Sequence, residues 1–402
     1  MTKRKLVNGL CNGIISVSIG LLSLPIYATS LSDYQLSGQA NLEYRQFFND
    51  GVLGQENNQP SIVVQPELYW QLEDGVSAVT FMPFYRYDNM DKERTHADLR
   101  ELQFITAWDD YEYKIGFSKV FWGVTESAHL VDVINQTDAV EDVDGEDKLG
   151  QPMMQFTLLK DWGITDLFIL PYFRERTFAG EDGRLRPALV INTDKVTYQS
   201  DQEQKHIDYA VRYSQMLGDW DIGLSYFNGT NRDPDLLYQG GELVPYYAQM
   251  EHVGVDVQGF IGDWLWKLEA IYRDSTNNYT AVISGFEYTL VGAFDTAIDL
   301  GLISEFLYDT RGEGSTAIGQ RDIFAGIRFG FNNEDSTELL VGVTQDLDNT
   351  DVQMFKLEAS SRLTNHVRLV VEAWSFDSDT IVDPLYSVRD DDFVELGLQY
   401  FF

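Results

Sequence analysis

The last eight residues, Glu395-Leu396-Gly397-Leu398-Gln399-Tyr400-Phe401-Phe402, read ELGLQYFF and end the chain on two phenylalanines. Together with Val394, they place Leu396, Leu398, Tyr400 and Phe402 on one side of an extended backbone. Because successive side chains of a β-strand point to opposite faces, this spacing predicts a strand with one apolar face. An apolar face that ends in aromatic residues is typical of a strand that lies against lipid.

The first 28 residues have the three parts of a secretory signal peptide. A basic start at residues 3–5 precedes an apolar stretch that runs to Leu24, and Ala28 supplies the small residue at the predicted cut. The alternative is a retained anchor helix, which the polar and glycine residues within the stretch disfavour. Cleavage after Ala28 removes Cys11, so the exported chain would contain no disulfide.

The composition is strongly acidic, with 29 basic and 64 acidic residues and a net charge of −35. The first 28 residues contain three of the basic and none of the acidic residues, so the remaining chain carries −38. Nucleic acid is therefore excluded as a partner, because binding its phosphates requires a basic surface. The 13% aromatic content fits a barrel with aromatic girdles at both membrane interfaces.

Strand-like segments of a length that can span a bilayer recur along residues 29–402, which we predict to form a single barrel domain. Only six residues, 29–34, separate the predicted cut from the first strand, which argues against an N-terminal plug domain. The predicted eighteen strands are 35–48, 61–73, 76–87, 98–108, 111–121, 151–161, 163–175, 205–217, 219–228, 247–261, 263–274, 278–291, 295–309, 319–331, 336–347, 351–362, 364–377 and 391–402.

The connections alternate between short turns and long loops. Short turns such as Asp109-Asp110 and Gly262-Asp263 contain residues that favour chain reversal. The longer connections are 49–60, 88–97, 122–150, 176–204, 229–246, 310–318 and 378–390. Short periplasmic turns opposite long extracellular loops are typical of outer-membrane barrels, and an even strand number places both termini on the periplasmic side.

Alternation within single strands supports the same fold class, an all-β transmembrane antiparallel barrel of about 18 strands. In residues 264–273, Trp264, Trp266 and Tyr272 share one face, whereas the charged Lys267 and Glu269 occupy the other. Charges are costly on a lipid face but are well accommodated in a wet lumen. The alternative is a soluble β-rich binding protein, which has no reason to sort its loops by length.

The C-terminal Phe402, the signal peptide and the strand pattern resemble Gram-negative outer-membrane porins over the whole mature chain. Residues 118–123 (SKVFWG) and 132–138 (DVINQTD) are similar to the "WG … D-x-x-N-x-x-D" stretch of porin-like proteobacterial families, including large barrels of the alginate-export type. The resemblance implies the fold. No sugar-binding or carboxylate-binding residue set of those families can be matched to this sequence.

The connection 122–150 is the predicted obstruction of the pore. It carries Glu126, Asp132 and Asp138 among other acidic residues, and its first part is apolar enough to pack against a wall. We expect it to fold inward and narrow the lumen; the alternative is a solvated extracellular loop that binds surface cations. Residues 142–147 resemble a calcium loop but lack its full spacing and distal glutamate, so we assign no metal.

Five arginines are predicted to face this acidic connection across the pore. Opposed charges would create a transverse field that orients charged or dipolar solutes. The alternative is that the arginines only pair with neighbouring acids. The predicted selectivity residues are Arg86, Arg100, Arg174, Arg176 and Arg186.

Sequence motifs for catalysis or for a cofactor are not recognisable. None of the histidines, His96, His129, His206, His252 and His366, lies in a nucleophile motif or in H-x-x-x-H metal spacing. We therefore expect no enzymatic activity, no catalytic residue and no cofactor.

These expectations combine into a channel in the bacterial outer membrane that passes small or extended solutes by passive diffusion. The alternatives are a conduit for one cargo, such as an acidic polysaccharide or a hydrophobic compound, and a receptor or adhesin that uses the long loops. The expected partners are outer-membrane lipid, lipopolysaccharide, small solutes and the barrel-assembly machinery, which would engage the strand that ends in Phe402.

Overall fold

The computed structural model describes residues 34–312 and 319–402. The predicted signal peptide, residues 1–28, lies outside these ranges. Among the described residues, no helix combines the length and the apolar character that a membrane crossing requires.

The described residues form twenty-one strands and short 3-10 turns. The turns are Thr193–Lys195, Glu203–Lys205, Ala293–Asp295 and Pro384–Ser387. The strands are β1 (Tyr34–Phe47), β2 (Asn58–Gln71), β3 (Ser77–Asp88), β4 (His96–Trp108), β5 (Tyr111–Ser118), β6 (Gln151–Lys160), β7 (Gly163–Leu170), β8 (Thr197–Tyr198), β9 (Asp208–Leu217), β10 (Trp220–Thr230), β11 (Asp235–Gln239), β12 (Glu242–Tyr247), β13 (Gln249–Ile261), β14 (Trp264–Asp274), β15 (Tyr279–Leu290), β16 (Asp299–Asp309), β17 (Arg321–Gly330), β18 (Glu338–Asp346), β19 (Gln353–Thr364), β20 (Val367–Asp377) and β21 (Phe393–Phe401).

Eighteen of these strands, all except β8, β11 and β12, form one antiparallel sheet that closes on itself. The last strand pairs with the first from Gln39 opposite Phe401 to Phe47 opposite Phe393. Because the sheet closes, it has no edge strand with unpaired backbone N–H and C=O groups. A sheet whose outer face lies in hydrocarbon must meet this condition. The predicted all-β, eighteen-stranded barrel is confirmed.

The three remaining strands form a small separate sheet within the long connections. β11 and β12 make a hairpin, and β8 pairs in parallel with β12 at Tyr247. The connections 176–204 and 229–246, which were predicted as loops, therefore hold each other through backbone hydrogen bonds.

The two faces of the wall differ as the C-terminal pattern predicts. Leu396, Leu398 and Tyr400 are exposed on the outside, whereas Phe393 on the opposite face is fully buried. The inward face of the neighbouring strand carries Arg45, which donates to Glu395 at 2.7 Å. Apolar side chains outside and paired charges inside are the arrangement of a barrel with a wet lumen.

The outer face provides a direct test of the membrane orientation. Leu398 lies near the middle of β21 and is 44% exposed. Leu398→Arg should lower the free energy of unfolding in lipid vesicles by about 2–4 kcal/mol, because a guanidinium would enter hydrocarbon. The neighbouring Gln399 points inward, so Gln399→Arg is the matched control and should cost much less. Equal losses for both variants, measured by denaturant titration in vesicles, would contradict the assignment of the two faces.

Several predicted boundaries are wrong, and the local chemistry explains the difference. The strand predicted at 163–175 ends at Leu170, because the following Pro171 has no N–H to continue the ladder. The strand predicted at 111–121 ends at Ser118, beyond which Val120 donates its N–H to Asn135 Oδ1. The turn predicted at Gly292-Ala293 is an eight-residue connection containing a 3-10 turn.

A β-bulge in β4 sets the direction of one predicted site residue. Met82 is paired with Glu101 and Pro83 with Leu99, so Arg100 has no partner on β3. Pro83 cannot donate a backbone hydrogen bond, which makes this a natural place for the register to shift. Arg100 is the extra residue of the bulge, and the bulge directs its side chain into the lumen, where it forms an ion pair with Asp138.

Candidate functional site

The connection between β5 and β6, residues 119–150, lies against the inner wall on the far side of the barrel; we call it the inner segment. Val124 N–H donates to Glu269 on β14, and Ser127 N–H donates to Glu305 on β16. Glu269 and Glu305 belong to the inward face, because Tyr272 and Phe306, at positions of the opposite parity on the same strands, are exposed outside. The chain therefore leaves the wall after β5, crosses the lumen and returns to β6.

Apolar side chains fix the first half of the inner segment. Val131, Val133 and Ile134 are almost completely buried in one cluster with wall residues from several strands. Trp122 packs edge-on against Phe168 of β7, with ring centroids 5.7 Å apart. Burial of each such aliphatic side chain contributes about 1.5–3 kcal/mol, so the segment is a packed part of the protein.

The residues of the D-x-x-N-x-x-D motif tie the two ends of the inner segment together. Asn135 donates through Nδ2 to the carbonyls of Ser118 and Leu149, at 2.9 and 2.8 Å, while its Oδ1 accepts from Val120 N–H. Asp132 lies 3.4 Å from Lys148 Nζ. The central asparagine thus joins the entry to the exit, because an amide both donates and accepts.

Asp138, the last residue of the motif, docks the return half of the inner segment onto β4. Its carboxylate lies 2.7 Å from Arg100 Nη2 and 3.2 Å from His96 Nε2, and it accepts from the Thr177 hydroxyl at 2.7 Å. Burial opposes ionisation, but His96 and Arg100 outweigh it and hold the pKa of Asp138 below its usual range. The Asp138 side chain is completely buried, so this ion pair is shielded from solvent.

Gly123 of the WG pair permits the close approach of the segment to the far wall. Its φ is +148°, in a region that L side chains rarely adopt. A Cβ at this position would lie 2.8 Å from His129 Nδ1 and 3.1 Å from Glu269 Oε1. Glycine is therefore required both by the backbone conformation and by the space.

Two of the predicted arginines are buried and form ion pairs with acidic residues of the inner segment. Arg86 forms a two-point ion pair with Glu141, at 2.8 and 2.5 Å, and Arg100 binds Asp138. Arg94, on the same side, donates to the carbonyl of Val140 at 2.8 Å. These arginines hold the segment against β3 and β4, which matches the alternative that they pair with neighbouring acids.

The other three predicted arginines lie in the long connection after β7. Arg174 binds Asp98 at 2.7 Å and donates to the carbonyl of Gly150. Arg176 is partly exposed and lies 3.1 Å from Asp233. Arg186 is buried and donates to backbone carbonyls of its own loop. Of the five arginines, Arg176 lines the open part of the lumen.

The open part of the lumen lies between the inner segment and the wall from β16 to β20. It contains a cavity of about 440 Å³. The segment contributes Glu126, His129, Asp144 and Glu146, the wall contributes the basic residue Lys356, and the connection after β16 contributes Arg311. Arg328 on β17 reaches across to Glu126 at 2.7 Å. Acidic residues on the segment thus face basic residues on the wall.

A second cavity, of about 510 Å³, lies at the end of the barrel that carries the short turns. Phe121, Trp122 and Val124 of the inner segment line it together with Asp161 and Met216. The first cavity is lined instead by residues of the long connections, among them Asp233. The inner segment therefore lies between a cavity at the long-loop end and a cavity at the short-turn end.

The basic wall residues were missed by sequence reasoning, although a signal for them exists. Arg328 and Lys356 lie in strands, each flanked by two apolar residues that face outward: Ile327 and Phe329, and Phe355 and Leu357. That period-two pattern identifies inward-facing charges. It could not identify which of them face the open gap, because this depends on the path of the inner segment.

Comparisons with known proteins add to the fold description. No protein-family model matches the sequence, and no curated protein is significantly similar to it. Among solved structures, OmpT, an outer membrane protein of Vibrio cholerae in its trimer form, is 10% identical, with a TM-score of 0.45 and coverage of 92% of this chain and 99% of that one. A triple mutant of the Rhodopseudomonas blastica porin is 15% identical, with a TM-score of 0.45 and coverage of 92% and 100%. The described part of the chain is a closed antiparallel β-barrel of eighteen strands.

One histidine of the inner segment carries charge at the centre of the site. His129 lies 3.6 Å from Glu146 and 3.9 Å from Glu269. Burial lowers the pKa of His129, but these two carboxylates outweigh it and raise that pKa to about 9. The imidazolium is therefore present at neutral pH and partly balances the acidic side of the gap.

A group with metal-ligand geometry lies on the docking side of the barrel. Donor atoms of His96, Asp138 and Glu141 come within 4.8 Å of one another. Their carboxylate oxygens are already bonded to the guanidinium groups of Arg100 and Arg86. Two fixed cations in contact with the acids oppose the entry of a metal ion, so this group does not point to a metal centre.

Proposed function

We propose that this protein is an outer-membrane channel through which small or extended solutes diffuse passively. The observation that carries the proposal is the inner segment, which crosses an eighteen-stranded barrel and is flanked by a cavity on each side. Eighteen strands enclose more space than their own side chains fill. A segment that occupies part of that space narrows the lumen and leaves the gap beside β16–β20 as the path.

We propose that the charges on the two sides of this gap select the solute. Glu126 and Glu146 belong to the inner segment, whereas Arg328 and Lys356 belong to the wall and Arg311 to the connection after β16. Opposed charges across a narrow aqueous gap produce a field that orients dipolar solutes and discriminates between ions. The basic side of the proposed field is therefore the wall that carries Arg328 and Lys356. Arg86 and Arg100, which were predicted to form it, are buried against the segment.

The outer membrane is the proposed location because the outside of the barrel is apolar while the inner wall carries paired charges. Exposed Leu42, Leu398 and Tyr400 illustrate the outer face. Outer-membrane lipid and lipopolysaccharide are therefore the proposed surroundings, and the strand that ends in Phe402 is the proposed contact for the barrel-assembly machinery. The transported solute is expected to need no cofactor and no covalent step.

The selectivity of the channel tests the proposal. The acidic chain predicts a preference for cations, and the double variant Arg328→Glu/Lys356→Glu should strengthen it by removing the basic side of the gap. In a planar bilayer with a tenfold KCl gradient, the reversal potential should move further toward the potassium equilibrium potential. Glu126→Gln should move it in the opposite direction.

Lys205→Glu is the matched control for this measurement, because Lys205 is exposed on a connection outside the gap. It changes the net charge of the protein by the same sign but should leave the reversal potential unchanged. If the control shifts the potential as much as the gap variants do, net charge sets the selectivity and the proposed path is wrong.

A further inference from the structure

Glu269 on β14 is an anchor for the inner segment. Its side chain is fully buried, and Oε1 accepts from Val124 N–H at 2.7 Å, Thr125 N–H at 3.1 Å and the Thr125 hydroxyl at 2.8 Å. Oε2 accepts from Val131 N–H at 3.2 Å. One carboxylate thus joins two parts of the segment that lie six residues apart.

Glu305 on β16 provides a second anchor further around the wall. It is 1% exposed, and Oε1 accepts from Glu126 N–H at 2.8 Å. Oε2 accepts from Ser127 N–H at 2.8 Å and from the Ser127 hydroxyl at 2.6 Å. Four consecutive backbone N–H groups, from residue 124 to residue 127, therefore point at two buried carboxylates.

These two glutamates differ from the other charges of the wall in what they bind. Glu287 on β15, between them, lies 3.3 Å from both Lys267 and Arg328. Within the described residues, Glu305 has no cation within ion-pair distance, and Glu269 has His129, itself part of the inner segment, at 3.9 Å. Convergent backbone N–H groups bind anions, so the segment itself supplies the groups that stabilise these two buried charges.

We propose that Glu269 and Glu305 form a two-point latch that holds the inner segment across the lumen and thereby sets the width of the channel. The inference rests on the proposed function, because it concerns the narrow part of the same path. Charge-assisted hydrogen bonds are roughly twice as strong as neutral ones, and the latch contains six whose donor is not shared with another acceptor. The opposite side of the segment is held by Arg86 and Arg100, so loss of the latch frees only the crossing part.

Glutamine substitution tests the latch without a change of size. A carboxylate only accepts hydrogen bonds, whereas an amide presents an N–H to the N–H groups of the segment and accepts through one oxygen. Glu269→Gln/Glu305→Gln should raise the single-channel conductance at least twofold and add open-channel flicker. Asp166→Asn on β7 is the matched control, since it removes a carboxylate whose hydrogen-bond donors, Gln155 and Thr157, belong to β6 of the wall.

The outcomes separate the latch from the function on which it rests. If the unmodified protein gives no current, the channel proposal fails. If the unmodified protein conducts and the double glutamine variant conducts identically, the latch alone is overturned. A conductance increase of equal size in Asp166→Asn would also overturn it, because wall charge would then be the cause.

Thiol labelling gives a second readout that does not depend on current. The sequence contains one cysteine, Cys11, within the predicted signal peptide, so Val131→Cys introduces the reactive group into a cysteine-free mature chain. Val131 is completely buried, and its N–H donates to Glu269. A charged thiol reagent should label Val131→Cys slowly when both glutamates are present and at least tenfold faster in the double glutamine background. Both proteins are folded in detergent, and folding is verified by the shift in gel mobility on heating. Equal labelling rates with and without the two glutamine substitutions would contradict the latch.

Discussion

Removal of residues 121–148 should raise the single-channel conductance several-fold and abolish most of the ion selectivity. The inner segment occupies the lumen of a barrel whose eighteen strands cannot fill it with their own side chains. The excision is geometrically feasible, because Asn135 binds both Val120 and Leu149, which places the two cut ends close together. A short glycine-serine linker can therefore join them, and the conductance is measured in planar bilayers.

A control deletion distinguishes the inner segment from the other long connections. The hairpin of β11 and β12 projects an exposed turn around Tyr238, which is 70% exposed. Replacing Tyr238 to Gly241 by a shorter turn should leave the conductance unchanged. If the excision of the inner segment also leaves it unchanged, the segment does not constrict the path.

Asp138→Ala should produce the largest loss of stability of any single substitution in the inner segment. The change removes one of the two carboxylates beside the buried Arg100 and leaves Asp98 at 3.0 Å, and it also removes one partner each of His96 and Thr177. Removal of one partner of a buried ion pair costs about 3–5 kcal/mol. Denaturant titration in detergent or vesicles measures this difference in the free energy of unfolding.

Asp144 is the matched control for this substitution, because it belongs to the same segment but is exposed. Its carboxylate accepts from Glu146 N–H at 2.9 Å within the loop. Asp144→Ala should lower the free energy of unfolding by no more than about 0.5 kcal/mol, because its carboxylate lines the open gap and forms no ion pair among the described residues. Similar small effects at Asp138 and Asp144 would show that the docking onto β4 contributes little.

The barrel could be predicted from the sequence because each strand carries its own evidence. Leu396, Leu398 and Tyr400 alternate with inward-facing residues, and this alternation is visible within the strand itself. The pairing of β21 with β1 keeps these three residues on the outer face. The lengths of the connections also predicted that short turns lie at one end of the barrel and long loops at the other. Strand ends were less predictable, although Pro171 marks the end of β7 and was available as a signal.

The far-wall partners of the inner segment, Glu269 and Glu305, could not be predicted, because they are separated from it by more than a hundred residues. Thr125 binds Glu269 across 144 positions, and Ser127 binds Glu305 across 178. A glutamate on an inward strand face looks the same in sequence whether it binds solvent, an arginine or a backbone N–H. The bulge at Arg100 is equally hidden, since it depends on the register between β3 and β4.

The D-x-x-N-x-x-D motif shows the intermediate case. The sequence identifies Asp132, Asn135 and Asp138 as a pattern within the connection predicted to enter the pore. The structure gives each residue a mechanical role: a contact with Lys148, a bridge between the ends of the segment, and an ionic dock on β4. The roles follow from burial, which no local pattern encodes.

The central claim is that the barrel encloses a continuous aqueous path beside the inner segment. Purified protein reconstituted into a planar bilayer tests it most directly, through the current carried by single insertions in symmetric KCl. The account predicts discrete, long-lived steps whose size grows in proportion to the applied voltage and increases when residues 121–148 are removed. Insertions that are verified by antibody or label but carry no steady current would contradict it.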